Sequence, residues 1–129
     1  LVSLREELNR QEPTVREKTA AAAFLAQFYN GIENILKRVH VYFGVPLPQG
    51  NTWHVELFQR FCPPGYKPLP VLFQEPFAAN LAPYRRFRHV VFHTYGFQLD
   101  WSKMAEGINS IQPIFEEFKA TISQLTDSL

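Results

Sequence analysis

Apolar positions recur at helical spacing along most of this chain. Ala21, Phe24, Leu25, Phe28, Tyr29, Ile32, Ile35, Leu36, Val39 and Phe43 advance by steps of one, three and four. Such steps line one face of a helix with about 3.6 residues per turn. In front of the stripe, Thr14 and Glu17 match a capping box. Behind it, Gly44 followed by Pro46 and Pro48 is a stop signal. The pattern predicts a helix of about thirty residues, preceded by a shorter one over Leu1–Gln11.

After "GVPLPQGN" comes a short amphipathic piece, Trp53–Cys62. It runs into "PPGYKPLP", where four prolines in eight residues exclude a helix and predict an irregular loop. Val71–Tyr95 again has helical character but contains Pro76 and Pro83. A break or kink is expected near Pro83, with helix from there to Tyr95 and Gly96 as its stop. Asp100 suits the N-cap of a last helix, Trp101 to about Thr126. There Met104, Ile108, Ile111, Phe115, Phe118, Ile122 and Leu125 alternate steps of four and three, a heptad-like seam with Pro113 as an expected kink. Neither a strand pair, nor a repeat, nor a second domain is visible. The expectation is one all-α domain over residues 1–129, an antiparallel four-helix bundle with short extra helices.

Composition narrows the function. Apolar residues make up 46% and aromatics 15%, enough for a core. A net charge of +1 argues against indiscriminate polyanion binding, so any anion recognition has to be local. Cys62 is the single cysteine, which excludes an internal disulfide and favours a reducing, cytoplasmic setting. No apolar run approaches the roughly 18 residues that span a bilayer, so no membrane partner is expected. The opening "LVSLREELNR" reads as mid-helix rather than as a signal peptide.

Against this balance "YRRFRHVVFHTYGF", Tyr84 to Phe97, stands out, with three arginines and two histidines in nine residues. With Tyr84 at zero and about 100° per residue, Phe87, Val91 and Thr94 centre a core-facing sector near 330°. Arg86, His89 and His93 form a polar stripe opposite, at about 140–200°. Arg88 falls near 40°, at the edge of the apolar sector, where a solvated basic face would place no charge. Its stem could lie along apolar surface with the head in water, or it could belong to a site. His89 and His93, four apart, have metal-ligand spacing, but no Glu, Asp or Cys nearby completes a set. Tyr95 reads by default as a half-buried tyrosine at a helix end. Arg88 and His93 are five apart, about 140° around the helix, so one helix does not aim both at one point. Two copies across a twofold axis could bring both pairs into a shared cleft.

Arg88 to Tyr95 fits R-x4-H-x-Y, and in this it resembles the HEPN-domain toxin ribonucleases of HepT type, which pair with minimal nucleotidyltransferase antitoxins. The motif's place at the end of the penultimate helix, the short "GFQLDW" link and the long early helix are similar too. The resemblance implies a homodimeric bundle that cleaves RNA without a metal or other cofactor. It assigns Arg88 and His93 as the catalytic pair, and Tyr95 as the tyrosine to which the antitoxin adds AMP. The residue after the arginine is commonly a small polar one; here His89 takes its place, as a supporting group. Arg85 and Arg86 would guide the RNA backbone. The chemistry suits these types: histidine exchanges protons near neutral pH, and arginine stays charged and grips phosphate oxygens. The alternative from another class is a non-catalytic binding or antitoxin subunit of a nucleotidyltransferase, and a purely structural helical dimer is a further one.

Overall fold

The computed structural model describes residues 14–93 and 101–129, without the side chains of residues 89–93, 101 and 103. The described chain forms four helices: α1 (Val15–Phe43), α2 (Trp53–Gln59), α3 (Phe77–His93) and α4 (Trp101–Ser128). No strand occurs among the described residues. The all-α expectation is thus met. The expected Leu1–Gln11 helix, the Gly96 stop and the Asp100 cap lie outside the described residues.

The ends of α1 form as the sequence reads. Glu17 N donates to Thr14 Oγ1 at 3.2 Å, and Thr14 N donates back to Glu17 Oε1 at 3.3 Å. Gly44 closes the helix in the left-handed region, φ 68°, a conformation glycine adopts without a Cβ penalty.

Two boundaries differ from the sequence reading. α2 stops at Gln59 rather than Cys62. Beyond it, Phe61 N and Cys62 N bond back to Phe58 O and Gln59 O, a tighter i→i−3 pattern. Pro63 and Pro64 then offer no N–H to continue it. α3 begins at Phe77, not at Val71. Residues 71–75 stay irregular because Leu72 N and Phe73 N both donate to Phe61 O, at 2.9 and 3.0 Å, instead of entering a helical ladder. Leu69, Leu72 and Phe73 are buried from this irregular segment, so the Pro-rich loop is itself a wall of the core. No break occurs at Pro83: α3 runs through it, and α4 likewise runs through Pro113. Burial of Leu81 and Tyr84 on either side of Pro83 offsets the hydrogen bond that proline cannot make.

Phe73 ties the layers together, stacked on Phe58 of α2 at 5.0 Å and on Phe118 of α4 at 6.2 Å between ring centroids. Tyr84 Oη donates to the Gly107 carbonyl at 2.6 Å within the core. On α4, Met104, Ile108, Ile111 and Phe118 are buried as the seam predicts, but Ile114 is buried where Phe115 was expected. Phe115 is 45% exposed and meets Phe28 edge-on. Steps of three and four from Ile111 both stay within about 60° of it on a helix, and the smaller residue faces inward.

Candidate functional site

Arg88 extends from α3 toward α1 and α2 and is only 16% exposed. Its Nε donates to Asn30 Oδ1 at 2.6 Å and lies 2.8 Å from Glu33 Oε1. Its Nη1 is 3.2 Å from His54 Nε2. His54 Nδ1 is in turn 2.9 Å from Glu33 Oε2. Since arginine can only donate, the contact to Nε2 is a hydrogen bond in the tautomer whose Nδ1–H donates to Glu33. Both oxygens of Glu33 are therefore used, and the carboxylate, 2% exposed, is satisfied where burial of a free charge would be costly. The Trp53 ring completes the surround, with Arg88 Cζ 5.7 Å and Lys37 Nζ 4.7 Å from its centroid.

Local sequence explains how three helices build this cluster. Asn30 and Glu33 are one turn apart on α1, Lys37 is one turn further, and Trp53 and His54 open α2. The Arg88 head is not left in water, as the first of the readings that the sequence left open had it: Asn30, Glu33 and His54 hold the guanidinium. Arg86 is exposed, as its place on the polar stripe predicts. Arg85 is half-buried, its guanidinium 5.9 Å from the Phe58 ring and its Nε enclosed without a partner. The two neighbouring arginines therefore diverge. His89 and His93 lie on α3, but their side chains, and all of Tyr95, lie outside the described residues. Among the described residues no group of three or more His, Cys, Asp or Glu is placed to hold a metal.

Sequence reading missed Asn30, Glu33, Trp53 and His54. One signal was available. At about 100° per residue, Glu33 and His40 fall some 80° and 60° from Leu25, inside the apolar stripe of α1. A charged residue there has to be paired. His40 is the second instance: wholly buried, it contacts Leu36 O through Nδ1 at 2.9 Å and Arg60 Nη1 through Nε2 at 3.2 Å. Arg60 Nη1 also donates to Pro46 O at 2.8 Å, and its guanidinium lies over Tyr66. Burial pushes the His40 pKa below the usual 6.5; the bond to the Leu36 carbonyl opposes this and the Arg60 charge adds to it. Neutral, His40 has both nitrogens satisfied and serves as a structural bracket between α1 and the residue after α2. Nearer the site, burial raises the Tyr29 pKa, and the Glu33 charge adds to the rise.

Fold and cluster together define a helical domain with an arginine-centred polar site assembled from three helices. The chain belongs to the HepT-like family: the family model, described as a HepT-like protein, matches residues 20–129. That membership carries a HEPN toxin-type character. Comparison with curated proteins and with solved structures gave no match. No described helix is long and apolar enough to cross a membrane.

Proposed function

We propose that the protein is a toxin endoribonuclease that cleaves RNA without a metal, with Arg88 and His93 as its reacting pair. The observation that carries this reading is the inward, side-chain-anchored guanidinium of Arg88; family membership supports it. A guanidinium fixed by Asn30, Glu33 and His54 is already ordered, so less freedom is lost when it meets a phosphate. In the reaction His93 takes the proton of the ribose 2′-hydroxyl as that oxygen attacks the adjacent phosphorus. The P–O5′ bond breaks, and the leaving 5′ oxygen takes up a proton from a second group, for which His89 is the candidate. Arg88 stabilises the charge that builds on the phosphate oxygens. The products are a 2′,3′-cyclic phosphate and a 5′-hydroxyl. Arg85 and Arg86 are assigned to the RNA backbone.

His93 closes α3 five residues beyond Arg88, about 7.5 Å along the axis and 140° around it. That divergence supports a homodimer in which two copies share one cleft. Tyr95 is the proposed site of silencing, by AMP transferred from a minimal nucleotidyltransferase partner; the added phosphodiester would compete with RNA for Arg88. Incubating RNA with purified protein in EDTA, beside His93→Ala, tests the assignment. Cleavage that the substitution abolishes supports it. An inert parent with an unmodified Tyr95 peptide by mass spectrometry would instead favour a non-catalytic binding subunit.

A further inference from the structure

Trp53 has no role in the chemistry proposed above, yet it is partly exposed, packed against the core and against the His54 ring, beside the most elaborate polar cluster described. Arg88 Cζ is 5.7 Å from its ring centroid and Lys37 Nζ 4.7 Å. The two cations differ in their surroundings. The Arg88 charge is offset by the buried Glu33 carboxylate. Lys37 has no carboxylate partner among the described residues, and Glu33, one turn before it on α1, is committed to Arg88 and His54. A flat π-surface, an unneutralised ammonium and the phosphate-gripping arginine thus converge from three helices within the span of one nucleotide.

We infer that Trp53 and Lys37 form a nucleotide subsite: a base of single-stranded RNA next to the phosphate on Arg88 stacks on the indole, while Lys37 takes that nucleotide's phosphate. The inference rests on the nucleic-acid part of the proposed function and deepens it. Lysine is the residue able to make the exchange. Its flexible stem leaves the ring face for the phosphate when a base arrives, and base–aromatic stacking outweighs an exposed cation–π contact. Stacking of this kind tolerates any base, with purines favoured by their larger face. Single-stranded character follows as well, because a paired base cannot lie on a protein ring.

The test is binding rather than cleavage. The protein is labelled with 5-fluorotryptophan, whose resonances for Trp53 and Trp101 are assigned with Trp53→Phe. It is titrated with a short single-stranded 2′-O-methyl oligoadenylate, whose blocked 2′ oxygen prevents cleavage, and with an abasic strand of equal length. The Trp53 signal is expected to move with the base-bearing strand and not with the abasic one. Trp53→Leu, checked by circular dichroism, should bind the base-bearing strand about tenfold more weakly, and Trp53→Tyr close to normally. Binding that leaves the Trp53 resonance unmoved, or parental affinity in Trp53→Leu, overturns the inference alone. Failure to bind any strand overturns it together with the nucleic-acid reading. Binding with the expected shift but without RNA cleavage keeps the subsite and removes the nuclease.

Discussion

Truncating Arg88 to alanine strands the Glu33 carboxylate in a buried position where His54 Nδ1 is the donor that remains. Removing one partner of a buried ion pair typically costs about 3–5 kcal/mol, most of it for the charge left behind. Arg88→Ala should therefore lower stability by about that amount in urea unfolding. Adding Glu33→Gln should recover part of the loss. A double variant no more stable than the single one would show that Glu33 is not what Arg88 neutralises. The consequence for function is practical. Arg88→Lys, which keeps the charge but not the fork, is the better probe of catalysis.

His40 makes a prediction in pH at the same scale. Unfolded, it takes up a proton near its ordinary 6.5; folded, it does so only at lower pH. Between those values the unfolded chain holds more protons, so stability rises with pH across that window. His40's contribution is complete above about pH 6.5 and is lost as pH falls below it toward the folded value. The urea midpoint should drop between pH 7.5 and pH 5 less steeply in His40→Gln than in the parent. Equal slopes would mean that His40 does not report the fold.

Among the elements, α3 and α4 are joined where Tyr84 Oη meets the Gly107 carbonyl. A Cβ at Gly107 would lie 3.5 Å from Phe87 and 3.6 Å from Leu25, so α1, α3 and α4 all approach at this level. Tyr84→Phe keeps the ring and removes the hydroxyl, and is expected to cost about 1 kcal/mol in urea unfolding. No change would mean that the bond contributes nothing net. In the Pro-rich loop, Gly65 has φ 96°, and a Cβ there would come within 3.0 Å of Val71 Cγ2. Gly65→Ala should thus cost about 1–3 kcal/mol.

How much of this was legible depended on whether the deciding interaction was local. Both ends of α1 were, because Thr14 and Glu17 cap each other three residues apart and Gly44 bonds back to His40 and Val41. The start of α3 was not: Leu72 and Phe73 are held out of the helix by bonds to the Phe61 carbonyl, ten or more positions away in sequence. The burial of Ile114 over Phe115 was equally closed, since helical spacing admits either. Arg88's misplacement on its helix was visible, but its partners were not, because Asn30 and His54 lie 58 and 34 residues away. Glu33 within the apolar stripe was the trace of that network in the sequence, as His40 was of the separate bracket to Arg60.

At the scale of the whole molecule, site and fold are one problem, since the Arg88 cluster draws side chains from α1, α2 and α3. Its proposed regulation can be separated from its chemistry. Tyr95→Phe should cleave RNA like the parent yet resist silencing by a nucleotidyltransferase with ATP; a variant silenced along with AMP transfer would remove Tyr95 as the switch.

The most direct measurement is cleavage of RNA by the purified protein in EDTA, with end-group analysis, beside His93→Ala and Arg88→Lys. The account predicts 2′,3′-cyclic phosphate and 5′-hydroxyl ends, with His93→Ala slowed by about 10²–10⁴-fold and Arg88→Lys markedly impaired while still folded. Products bearing a 5′-phosphate, or cleavage indifferent to His93→Ala, would contradict it.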